Sequence, residues 1–141
     1  MRILALMIAL TTVSFAQAPA ATLPPAVKTA FEKAYPGTTI ASATQERAGS
    51  RTAFRVEGTQ NGKRRSVLYD GSGGVIEVAE QVDEKELPQP VAAAMHSHPR
   101  AIYVSGLKVT RGGGVEYRLT VRGSRKTAMV AKPDGTVVSF K

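Results

Sequence analysis

The chain repeats itself, and this constrains its fold more than any other feature. LPPAVKTAFEKAYPGTTI (23–40) aligns with LPQPVAAAMHSHPRAI (87–102): Leu23-Pro24 meets Leu87-Pro88, Val27 meets Val91, Ala30 meets Ala94 and Phe31 meets Met95. Tyr35-Pro36 meets His98-Pro99 after a one-residue deletion. Further on, AFRVEG (53–58) falls on EYRLTV (116–121), and SVLYDGSGGVI (66–76) on AMVAKPDGTVV (128–138). The offset is about 63 residues, too long for a thin solenoid repeat and right for a small supersecondary unit.

Each copy reads as one helix followed by strands. Leu23, Val27, Ala30, Phe31 and Ala34 form a single helical stripe, as do Leu87, Val91, Ala94, Met95 and His98. Pro24 suits a first helical turn, where a missing N–H costs nothing, and Pro36 and Pro99 stop the helices. Strands are expected near 39–46, 52–58, 63–69 and 75–82, then near 101–110, 114–121, 125–131 and 135–140. Asn61-Gly62 signals a tight hairpin, and the other breaks are glycine-rich. Short connections make sequential strands antiparallel neighbours. Alternation in FRVE and YRLTV leaves one sheet face solvated. The expected fold class is α+β: two tandem repeats, 23–83 and 84–141, each a helix packed on an antiparallel meander sheet of about four strands.

The N-terminus reads as a secretory signal: Arg2, the apolar run ILALMIAL (3–10), and small residues at Ser14 and Ala16, with cleavage after Ala16. Residues 1–16 are therefore expected to be removed and 17–22 to form a short linker, placing the protein in the periplasm or secreted. No later segment is long and apolar enough for a transmembrane helix. Losing Arg2, the one charged side chain in 1–16, lowers the net charge from +8 to +7. That excess favours anionic partners. With no cysteine, thiolate metal sites and disulfides are excluded. With no tryptophan and few other aromatics there is no base-stacking platform, and nucleic acid is not an expected partner.

The order Leu-Pro, helix, Tyr-Pro-Gly, strand, AFRVE, VLYDGSGGVI, given twice, resembles the PepSY-like group of exported bacterial proteins, itself described as resembling the β-lactamase inhibitor protein. The likeness covers roughly 23–141. It implies export, paired helix-plus-sheet units, and binding or inhibition of other envelope proteins, including peptidases. It brings no functional residue with it. The second copy departs from the pattern: His98 replaces the aromatic, and Arg100 stands where Gly37 does.

Catalytic constellations are missing from the sequence: no cysteine nucleophile, no paired carboxylates on one helix face, no G-x-S-x-G. The chain is therefore read as a non-enzymatic binding protein without cofactor. It would engage an envelope protein or peptide of acidic surface through its sheet face and loops. Arg55, Leu68, Arg118 and Arg122 are the candidate contact residues. DGSGG (70–74) lacks the Lys-Ser/Thr of a phosphate loop and the spaced acids of a calcium loop, and reads as a hairpin turn. The alternative function is a small-ligand or metal-ion sensor built on His96 and His98. Their i, i+2 spacing on a helix sends the rings about 200° apart, against the i, i+3 or i, i+4 spacing of helical metal ligands.

Overall fold

The structure, a computed structural model, describes residues 22–141. The expected signal peptide and most of the linker lie outside the described residues. The element order is α1 (Pro25–Ala34), β1 (Thr39–Ala48), β2 (Arg51–Gln60), β3 (Lys63–Asp70), β4 (Val75–Val82), a 3₁₀ turn (Glu84–Glu86), α2 (Gln89–His96), β5 (Ile102–Arg111), β6 (Gly114–Arg122), β7 (Lys126–Ala131) and β8 (Val137–Phe140).

Local chemistry explains each boundary. Both helices open at Leu-Pro: the carbonyls of Pro24 and Pro88 accept the first helical hydrogen bonds, and a second proline stands inside the first turn. The stripes are buried at Val27 and Phe31 in α1 and at Val91 and Met95 in α2, while Ala34 is exposed. Asn61 and Gly62 have φ of 53° and 76°, as a primed hairpin turn requires. Gly73 and Gly135 both have φ of 88°, and a Cβ on either would lie 2.8 Å from the Ala26 carbonyl oxygen or 2.7 Å from that of Pro90. Each glycine thus lets its hairpin seat against the first turn of a helix. Arg100, in place of Gly37, takes the glycine-like φ of 59°, so backbone shape outlasts the sequence change.

The expectation of two separate four-stranded meanders is corrected. Glu77–Val82 of β4 pairs with Gly106–Arg111 of β5, and the strands form one eight-stranded antiparallel sheet in chain order. A lone meander would leave β4 and β5 as edges with unpaired N–H and C=O groups. The connection at 83–101 carries α2 over the sheet and returns β5 alongside β4. Tyr103 reinforces the join, its hydroxyl donating to the Val82 carbonyl. Both helices cover the same face. Val27 and Phe31 pack on Val56, Val67 and Tyr69, and Val91 and Met95 pack on Tyr117, Leu119, Val121 and Met129. One sheet therefore carries two cores.

Candidate binding face

The face turned away from the helices has no cover among the described residues. Strand alternation places Arg55 on it, paired with Leu68 of β3, which in turn pairs with Glu77 of β4, which pairs with Arg111 of β5. The next row runs Ser66, Ala79, Val109, Glu116, and a further one Gln81, Leu107, Arg118, Val130. Register alone therefore sets charged and apolar side chains beside one another across the join of the two halves.

The charges form a network. Arg55 grips Glu46 with two prongs, Nε to Oε2 at 2.9 Å and Nη2 to Oε1 at 2.8 Å. Its Nη1 lies 3.5 Å from Glu77 Oε1 and donates to Ser66 Oγ at 3.1 Å. Glu77 sits two strands away, about 10 Å at sheet spacing, so the guanidinium crosses Leu68. That crossing explains why Leu68 is only 2% exposed on a face with no helix above it. Glu77 is 4% exposed, and its Oε2 accepts from Arg111 Nε at 3.0 Å and Nη2 at 2.6 Å. A buried carboxylate is costly unless paired, and here two arginines pair it, one from each half of the chain. The Arg55 guanidinium holds the Glu46 carboxyl below its ordinary value.

Three hollows join across this face. One of about 450 Å³ is lined by Ser42, Glu57, Arg64, Ala79 and Leu107. A second, about 310 Å³, shares Arg64 and Leu107 and continues to Arg118 and Val130. The third, about 710 Å³, shares Arg118 and ends among Val109, Lys132, Pro133 and Val138. The result is a trough with an apolar floor.

Arg55, Leu68, Arg118 and Arg122 share this face. Leu68 is its floor beneath Arg55. Arg118 Nε donates to Glu116 Oε1 at 2.7 Å, and Arg122 is exposed beyond the three hollows. Arg55, Arg111 and Arg118 are all internally paired, so the face carries compensated charge. Arg64 and Lys132 make no ion pair among the described residues; Arg64 lines the first two hollows and Lys132 the third. Sequence reasoning missed Glu46, Glu77, Leu107 and Val109, and read Arg111 only as one of the basic residues at loop ends. Alternation in VIEVAEQV puts Glu77 beside Ala79 and Gln81, but its pairing with Arg55 needs the register through β3.

The histidines part company. His96 Nε2 lies 3.4 Å from Glu84 Oε1, whereas the His98 ring stacks on Phe140, centroids 3.9 Å apart and 15° between planes. The DGSGG segment is a turn: Asp70 Oδ1 accepts from Ser72 N, Ser72 Oγ and Gly74 N.

No family model matches the chain, and no curated protein matches it. Solved structures do. A BLIP-like protein of Bacteroides fragilis superimposes with a TM-score of 0.63 at 17% identity, covering 89% of this chain and 88% of that one. The chain shares its fold with BLIP-like proteins. A DUF2874-family protein of Bacteroides uniformis matches with a TM-score of 0.68 at 17% identity, over 84% of this chain and 88% of its own. A candidate periplasmic protein of Bacteroides eggerthii matches with a TM-score of 0.70 at 16% identity, over 84% and 88%. These likenesses extend over 84–89% of the chain. It supports the inhibitor-protein side of the resemblance at the level of fold; the PepSY-like side finds no matching model. Among the described residues no helix is long and apolar enough to cross a membrane.

Proposed function

We propose that the chain is an exported, non-enzymatic protein that binds an envelope protein or peptide on its open sheet face. The observation that carries this reading is the trough. It crosses the join of the two halves of the sheet, has an apolar floor of Ala79 and Val109, and keeps Leu107 39% exposed at its middle. Partly exposed apolar side chains set among ion-paired arginines resemble the centre of an interface, where buried apolar anchors carry affinity and the polar rim gives register.

The BLIP-like and candidate periplasmic neighbours support binding and export respectively. The signal-like start of the sequence supports export independently. Unpaired Arg64 and Lys132 favour an acidic patch on the partner, each adding attraction that salt screens. Affinity capture from an envelope fraction with the mature chain as bait tests the reading, run beside Arg64→Glu and Lys132→Glu baits. A captured protein lost by both variants supports it. A captured protein held equally by wild type and variants refutes the placement on this face. Assay of that protein, if it is a peptidase, then decides whether binding inhibits it.

A further inference from the structure

The two edge strands of the sheet differ in character. β1 spells TIASATQERA, with Glu46 and Arg47 within it. β8 spells VVSF and has no charged residue. Among the described residues nothing pairs with the outer edge of β8, yet Val138 is 58% and Phe140 39% exposed there. The backbone next to Phe140 shows which groups are free. Lys141 and Ala128 exchange both hydrogen bonds, N to O at 2.9 and 2.7 Å. Phe140, one residue earlier in an antiparallel ladder, therefore directs its own N–H and C=O away from β7. Its ring is held by the stack on His98.

Cations stand at both ends of this edge. Lys132 lies at the β7–β8 turn, and Arg125, Lys126 and Lys141 lie at the other end, none of them in an ion pair among the described residues. The one carboxylate of that turn, Asp134, accepts from the Thr136 amide. Terminal lysines and a bulge are common protections against edge pairing, and the register of β8 shifts between Val130 and Ala131. Here the cations flank the apolar strand instead of interrupting it. Like charge at both ends repels a second copy of β8, while the same lysines attract carboxylates.

We propose that the outer edge of β8 receives an extended acidic segment of another protein as a ninth strand. Backbone hydrogen bonds would form at Phe140, apolar side chains at alternate positions would meet the Phe140 ring on the helix side of the sheet, and carboxylates at the segment's ends would face Lys132 and Lys141. This edge meets the trough at Lys132 and Val138, which also line the third hollow, so Arg64→Glu, which acts on the trough alone, is the variant that tells the two surfaces apart.

Fluorescence anisotropy with the mature chain tests the proposal. The probe is a short labelled peptide with valines at alternate positions and glutamate at each end. Tighter binding, by at least about tenfold, is expected for this peptide than for one with lysine ends or one with N-methylated backbone amides. The Lys132→Glu/Lys141→Glu variant should weaken it by a similar factor, and Arg64→Glu should leave it unchanged. Absence of binding, equal binding of the N-methylated or lysine-ended peptide, or sensitivity to Arg64→Glu alone would overturn the assignment. A concentration-dependent dimer abolished by Phe140→Asp would identify a second copy as the occupant and overturn it too.

Discussion

Glu77→Ala should destabilise the protein by about 2 kcal/mol. The carboxylate is 4% exposed and accepts two hydrogen bonds from Arg111, at 3.0 and 2.6 Å, with Arg55 Nη1 a further 3.5 Å away. Removing one partner of a fully buried pair costs about 3–5 kcal/mol. The loss is smaller here because the Arg111 side chain is 63% exposed and returns to water, and Arg55 keeps its two bonds to Glu46. Hydrogen bonds to charged groups contribute about 1.5–3 kcal/mol; an estimate of about 2 kcal/mol lies within that range and below the one for a fully buried pair. At a urea m-value of about 1.5 kcal/mol/M the midpoint should fall by about 1.3 M. Arg118→Ala breaks an exposed pair with Glu116 and should cost about 0.2–1 kcal/mol. Urea unfolding followed by circular dichroism measures both. If Glu77→Ala lowers the midpoint no more than Arg118→Ala, the network does not brace the junction of the two halves and the reasoning fails.

Gly73→Ala and Gly135→Ala should each cost about 1–3 kcal/mol, since both need positive φ and both would drive a Cβ into a helix carbonyl; Gly112→Ala, with open space around it, should cost less in the same urea assay. Tyr69 is fully buried with no hydrogen-bond partner for its hydroxyl among the described residues, and burial pushes its phenol up to about 12. Its folded value exceeds the ordinary 10.0, so the stability it contributes is present below pH 10 and is lost as pH rises toward 12. Tyr69→Phe should raise the melting temperature and remove the last phenolate step in an ultraviolet titration; a lower melting temperature would show that the hydroxyl is satisfied. At the acid end, Glu46 is held below its ordinary 4.5 chiefly by its hydrogen bond from Arg55, so its contribution is present above that value and lost as pH falls through the lower folded value. Glu46→Gln should flatten the acid limb of stability against pH in thermal melts, and an unchanged limb would count against the ion pair.

Much of the fold is written in local residues. Pro24 and Pro88 mark the helix starts, Val27, Phe31, Val91 and Met95 give the buried stripes, and Asn61-Gly62 gives a hairpin. All of these act over a few residues, and the structure places them accordingly. The join of β4 to β5 is different. Turn chemistry specifies neighbours across a short loop, but residues 83–101 form a long connection, and nothing in them states that Glu77 will meet Arg111. The repeat itself encouraged a reading of two units, because it describes what each half contains and not how the halves are sewn.

The same limit applies to the face. Alternation shows that Arg55, Arg118 and Arg122 share a side, but it cannot show that Arg55 reaches over Leu68 to Glu77. That geometry changes the expected behaviour of Arg55. Reversing it to Glu would set it against Glu46 and Glu77 and act on folding, whereas Arg64, Arg122 and Lys132 make no ion pair among the described residues and can act on association.

Leu107 is the most direct probe of the trough. It lines two of the three joined hollows, is 39% exposed, and lies on the strand that ties the halves together. The decisive measurement is the equilibrium affinity of the captured envelope protein for wild type and for Leu107→Glu, with urea midpoints of both taken in parallel. The account predicts a loss of at least about tenfold in affinity, the size of effect a central interface residue gives, with midpoints nearly equal. Equal affinity for the two proteins would contradict it.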